Sequence, residues 1–345
     1  MKTLKKLAFS ILASAFVFAN ANAGELAVSG SAKATYTILS VDGSPTDQSA
    51  GKGMGMANEF SLTASGELDN GYTWAMNIDI DGDTTQDDGS ITLGMGGLGS
   101  VKWNISDGGI AKNFSSMQSV YGASVDNGNS GSVAATGGYT DSGDTGTMNT
   151  IRYTTPSGLP LDISASVQYA PSTGANSAAS SNAGGTLDAG AEDAMEYAIS
   201  MTPMEGLEIG ASYYDPDDPS AAQSEEGGAY YGTYDIGSFS VGLGKSFKST
   251  SLATNTTNEA EAYDNTMMSV AFNVNDALSI SYEDIESSKE FETSSSDVDM
   301  DVSSIQAAYT VAGATFSVST EEYDNFQYTT GNKLKETNFA MSIAF

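Results

Sequence analysis

The chain has 345 residues, with 44 acids against 13 bases and neither histidine nor cysteine. That balance argues against a nucleic-acid partner, which needs a basic surface. It also excludes Ser-His-Asp triads, histidine-ligated zinc and disulfide frameworks. Cations are what such a field gathers.

In chain order, Lys2, Lys5 and Lys6 come first and an apolar run from Leu7 to Phe18 follows. The small-x-small triplet Ala21, Asn22 and Ala23 ends it, which predicts an export signal over residues 1–23 cleaved before Gly24. The run is too short to cross a bilayer as a helix. Three of the 13 bases lie in this leader, so ten bases stand against 44 acids in residues 24–345. An exported chain without disulfides must take its stability from elsewhere, and a closed hydrogen-bonded sheet would supply it.

From Leu26 to Ile38 the sequence alternates. Val28, Ala34, Tyr36 and Ile38 make one face; Ser29, Ser31, Lys33, Thr35 and Thr37 make the other. A period of two is a strand with one apolar and one polar side. Seven hairpins follow. Segments 59–67 and 72–81 flank Leu68-Asp69-Asn70-Gly71, whose Asn-Gly is a strong turn signal. Segments 90–95 and 100–105 flank 96–99; 149–155 and 161–170 flank 156–160; 194–201 and 207–214 flank 202–206. Then 229–234 pairs with 239–247, 266–272 with 278–283, and 304–310 with 315–321. A last strand, 336–345, ends on Phe345.

The expectation is an all-β, antiparallel transmembrane barrel of about sixteen strands forming one domain over 24–345. Tight turns alternate with long polar connections at 40–57, 82–89, 106–148, 171–193, 215–228, 248–265, 284–303 and 322–335. Short turns at one end and long loops at the other are the pattern of an outer-membrane barrel.

One parity is apolar throughout and is read as lipid-facing. It holds Phe60, Leu62, Trp74, Met76, Ile78, Val101, Trp103, Ile151, Tyr153, Leu161, Ile163, Val167, Tyr197, Ile199, Ile209, Phe339, Met341, Ile343 and Phe345. The opposite parity is read as a wet lumen carrying Glu59, Glu67, Asp79, Asp162, Glu196, Glu208, Glu283 and Glu321, with Lys33, Lys102 and Arg152 as bases. Some of these acids are expected at strand ends, in solvent. The run from Asp297 to Asp301 alternates in the wrong parity for Ile305, Ala307 and Tyr309, which calls for a bulge near Ser303 or a position above the membrane.

Asp79, Asp81 and Asp83 are candidate calcium ligands, since oxygens at alternating positions suit that ion. The EF-hand register fails at Thr84 and Ser90, and a solvated acidic loop is the plainer reading. No other cofactor is implied. No pair of carboxylates stands apart from the many loop acids, so an enzyme is not expected.

Taken together, the leader, the start at Gly24-Glu25-Leu26, the turn from Gly96 to Val101, the hairpin count and terminal Phe345 resemble the trimeric general-diffusion porins of Gram-negative bacteria, the alphaproteobacterial type in particular. The resemblance covers the whole chain after the leader. It implies an outer-membrane homotrimer among lipids, inserted by the barrel-assembly machinery, with Phe345 as assembly signal. It also implies that loop 106–148 folds inward, bringing Asp107, Asp126, Asp141 and Asp144 to face Lys33, Lys102 and Arg152. The chain departs from the family in having one arginine and no Pro-Glu-Phe-Gly stretch in that loop. The expected function is passive diffusion of small hydrophilic solutes and ions, with cations preferred. The alternatives are a substrate-specific porin, or a secreted acidic β-protein that binds calcium.

Overall fold

The computed structural model describes residues 25–44, 49–81, 88–105, 109–110, 120, 143–145, 148–171, 193–217, 222–252, 260–291 and 297–345. The expected export signal over 1–23 lies outside them. Sixteen strands run in order: β1 Glu25–Asp42, β2 Gly51–Glu67, β3 Thr73–Asp81, β4 Asp88–Gly94, β5 Ser100–Ile105, β6 Thr150–Thr154, β7 Ser164–Ala170 and β8 Asp193–Met204. They continue as β9 Leu207–Asp217, β10 Glu226–Ile236, β11 Phe239–Ser249, β12 Ala260–Asn273, β13 Leu278–Phe291, β14 Val298–Val311, β15 Ala314–Asp324 and β16 Lys333–Ala344. Each pairs antiparallel with its sequence neighbours, and β1 pairs with β16 to close the barrel. Closure removes the free edges that an open sheet would expose to lipid, where an unpaired backbone group costs several kcal/mol.

The seam is sealed at the chain's end. Gly30 and Phe345 exchange two backbone bonds of 2.9 Å each. A Cβ on Gly30 would come within 2.6 Å of the Phe345 ring, so only glycine admits the terminal aromatic there. Phe60 stands beside that ring at 6.3 Å.

All sixteen predicted strands are present, and several run further than expected at their outer ends. β13 continues eight residues beyond Glu283, to Phe291, and β14 begins at Val298. The largest shortening is at the start of β7. Leu161 and Asp162 sit in a tight turn with left-handed φ of 60° and 50°, and β7 starts only at Ser164. Asp162 is therefore exposed at the end of the barrel and does not line the lumen.

Lipid-facing and lumenal sides follow the expected parities. Exposed apolar side chains such as Trp103, Ile151, Ile199, Leu243, Val270, Ile305 and Phe316 cover the outside. The parity conflict in β14 has a simple resolution. The strand pairs without a bulge along its whole length, so Asp299 and Asp301 point outward while Met300 and Val302 point inward. The same reversal occurs on five neighbouring strands. One ladder row, Ser269, Glu283, Ser304, Glu321 and Glu336, faces inward and is polar. The next inward row towards the long-loop end, Met267, Ile285, Val302, Tyr323, Leu334 and Val41, is apolar. Met267, Ile285, Met300, Val302, Tyr323 and Leu334 form a buried cluster with Phe326 and Tyr328, which come from the 325–332 connection. That connection therefore folds into the mouth of the barrel, and its two rings complete a small core on the lumenal side.

Candidate functional site

The inner wall is a lattice of short polar side chains bonded from strand to strand. Thr37 donates to Asn338 Oδ1 at 2.5 Å, Thr63 to Asn77 Oδ1 at 2.9 Å, and Asn104 Nδ2 to Thr150 Oγ1 at 2.9 Å. Neighbouring inward positions are about 5 Å apart across a ladder, so Ser, Thr and Asn reach one another easily. Tolerance of polar groups here follows from a wet interior, which spares them the cost of entering hydrocarbon.

The long connection between β5 and β6 is held at three places. Its departing and returning stems meet at one carboxylate. Glu196 Oε1 on β8 accepts the Ile110 N–H at 2.7 Å, and Oε2 accepts the Thr145 N–H at 3.3 Å and hydroxyl at 2.8 Å. Gln168 Nε2 on β7 donates to Thr145 Oγ1 at 2.5 Å, while Gln168 Oε1 accepts Arg152 Nε at 2.6 Å. Arg152 Nη2 also reaches the Gly109 carbonyl at 3.5 Å. Met148 packs with Ala170, Ala194 and Tyr214, and a Cβ on Gly143 would lie 2.4 Å from the Tyr214 ring. The third tie is distant. The Val120 N–H donates to Ser281 Oγ on β13 at 3.1 Å. β5 and β13 stand eight places apart in a ring of sixteen, on opposite sides. Val120 therefore meets the inner wall across the barrel from the strand that leads into the connection.

The residues expected to line the lumen divide by environment. Lys33, Glu59, Glu67, Asp79, Lys102, Arg152 and Glu208 occupy inward positions on their strands and retain contact with solvent. Lys102 and Arg152 are directly opposite each other on β5 and β6, and Glu208 accepts the Tyr231 hydroxyl at 2.6 Å. Glu196, Glu283 and Glu321 face inward but are fully buried, which corrects their assignment as surfaces that a solute meets. Glu196 is sealed by the loop stems it anchors. Glu283 accepts Gln306 Nε2 at 3.1 Å, and Glu321 accepts Ser319 and Tyr323 hydroxyls at 3.4 and 3.3 Å. Asp144 is exposed on the returning stem. Asp107, Asp126 and Asp141 lie outside the described residues, as do Asp83 and the side chain of Asp81. Asp79 accepts bonds from Ser61 and Asn77.

Glu336, Lys248 and Lys289 are among the lumen-facing residues that escaped the sequence reading. Glu336 is directly opposite Glu321 and fully buried, with Asn338 Nδ2 donating to it at 2.6 Å. Its parity, set by outward Phe339 and Met341, was enough to place it. Lys248 and Lys289 sit on inward positions of β11 and β13, in stretches read as loop because their polarity hid the continuing strand.

A family model described as Gram-negative porin matches residues 8–344. No curated protein sequence matches the chain. Among solved structures, the outer-membrane expressed OmpT of Vibrio cholerae superposes with a TM-score of 0.66 at 11% identity, over 95% of this chain and 99% of that one. Salmonella typhi OmpF, in complex with daunomycin, gives 0.64 at 13% identity over 93% and 98%. An anion-selective porin from Comamonas acidovorans gives 0.64 at 10% identity over 93% and 100%.

Proposed function

The chain belongs to the Gram-negative porin family, and from that premise we propose that it is a cation-preferring outer-membrane channel for passive diffusion of small hydrophilic solutes. The observation that carries the reading is the β5–β6 connection tied to β8 at its stems and to β13 at Val120. A connection whose described residues meet the wall on both sides of a polar lumen would narrow the path, and selection then follows from size and charge.

Cation preference rests on electrostatics, since porins of one fold differ in selectivity. The solvated wall is nearly balanced, with Glu59, Glu67, Asp79, Asp88, Glu208 and Asp235 against Lys33, Lys102, Arg152, Lys248 and Lys289, so the preference rests on the chain as a whole, which is strongly acidic. A chain with excess carboxylate concentrates cations and repels anions. The family resemblance supports a homotrimer among outer-membrane lipids, with Phe345 read during assembly. The leader over 1–23 would direct export. Diffusion needs no acid, base or nucleophile, and the absence of histidine and cysteine is no handicap to it.

The test is the reversal potential of the refolded protein in a planar bilayer under a KCl gradient. Stepwise openings with a potential of cationic sign support the reading. Openings of anionic sign would leave the channel and overturn the charge assignment. A folded protein that never conducts would favour the calcium-binding surface protein instead.

A further inference from the structure

We propose that Lys289 is a selectivity-determining residue, a positive charge held at the mouth of the channel by an aromatic cage that the 325–332 connection completes. The inference rests on the diffusion reading above and adds a specific site to it. Lys289 occupies an inward position near the long-loop end of β13, between Tyr263 on β12 and Val298 on β14. Its Nζ stands 5.1 Å from the Phe291 ring centroid, 5.6 Å from Tyr328 and 5.7 Å from Tyr263.

The cage is built, and more than chance proximity holds it. Tyr263 and Tyr328 pack at 5.4 Å. The Tyr328 hydroxyl is 2.7 Å from Ser287 Oγ, which donates to Asn265 Oδ1 at 2.5 Å, and Asn265 Nδ2 donates to Ser246 at 2.9 Å. This chain of bonds ties the connection to β11, β12 and β13. Phe326 is fully buried against the apolar row beneath and fixes the other half of the connection.

A ring face attracts an ammonium through its quadrupole and leaves the charge whole. A carboxylate cancels it. Lys248, on the far side of Tyr263 in the same ladder row, is paired with Glu225 at 3.2 Å. Lys289 is held by rings, and the acids next to it on β13, Glu286 and Glu290, point to the outer face. Its side chain is half-buried, so its field reaches the water of the mouth. In a strongly acidic channel, one positive charge with no carboxylate partner among the described residues moderates cation preference and admits anions that the remaining wall would turn away.

The experiment is the K⁺/Cl⁻ permeability ratio of full-length wild type, Lys289→Met, Lys289→Glu and Lys289→Arg in planar bilayers at about 0.1 M KCl, where the Debye length is about 10 Å. Lys289→Met should raise the ratio about 1.5- to twofold, as expected for one charge about 10 Å from the ion path in water and screened over one Debye length. Lys289→Glu should raise it further, Lys289→Arg should leave it near wild type, and the differences should collapse at about 1 M salt. Conductance of ordinary size verifies that each variant has folded. An unchanged ratio in both Lys289→Met and Lys289→Glu overturns the proposal, and so does an equal shift in Lys289→Arg. If wild type is anion-selective the broader charge reading fails, while the shift between variants still decides the role of Lys289.

Discussion

On β12–β16 and β1, one set of strands is built two ways. In the membrane belt, Val270, Tyr282, Ile305 and Phe339 face out, and Ser269, Ser281, Ser304 and Asn338 face in. One row higher the sides exchange. Asp284, Asp301, Glu322 and Lys335 face out, and Ile285, Val302, Tyr323 and Leu334 face in. The backbone parity never changes. What changes is the medium on each side: hydrocarbon gives way to water outside, and water gives way to the rings of Phe326 and Tyr328 inside. A strand's amphipathicity therefore reports its two solvents at each level, and a reversal of polarity without a bulge marks the edge of the membrane.

Substitutions on either side of that edge separate the regions. Removing the ring that covers the inward collar should have the largest effect. Phe326→Ala should cost about 3–5 kcal/mol of loop docking, as for a buried aromatic elsewhere. Hydrogen exchange at the Phe326 and Asn332 amides, which close this turn with bonds of 3.0 Å, reads it directly. Unchanged protection would mean that the collar has no core. Next comes a charge placed at matched outward positions. Val270→Arg in the belt should cost about 2–4 kcal/mol in a lipid-vesicle unfolding titration. Ser288→Arg in the collar, beside Asp264 on the neighbouring strand, should lie within about 0.5 kcal/mol of wild type. Equal costs would remove the membrane edge from where the polarity places it.

The two inward connections also differ in their adhesive. The β15–β16 connection is held by apolar packing, and the β5–β6 connection by hydrogen bonds to the buried carboxyl of Glu196. Glu196→Ala strands three buried donors, each at about 1–3 kcal/mol, and should give noisy, enlarged conductance. Glu196→Gln keeps one acceptor oxygen and should fall between wild type and alanine. The smallest effect belongs to the collar's outer surface. A double-mutant cycle on Lys335 and Glu322, an exposed ion pair, should return about 0.2–1 kcal/mol, diminishing with salt.

Much of this was legible in the alternation itself. Trp103, Ile151 and Ile199 could be placed on the lipid face because each follows from its own few neighbours, and Asn70-Gly71 marks its turn without help from elsewhere. The reading stopped short where polarity was equated with loop. The stretches 284–291 and 298–303 are strands whose outer face is acidic, and Lys289 was lost with them. Asp162 was misplaced for a different reason: left-handed turn geometry at Leu161 and Asp162 interrupts an alternation that looks continuous on paper.

Residues 24–345 by themselves determined the number and order of strands, the short turns and the side each belt residue takes, because a period of two and a turn signal are properties of adjacent residues. Only the tertiary structure decided which lumenal carboxylates meet water. Glu208 stays in contact with solvent and Glu196 does not, though both are inward glutamates on adjacent strands. The difference comes from Ile110 and Thr145 closing over one of them. Contacts between segments so far apart in the chain form when the barrel closes, and no local pattern encodes them.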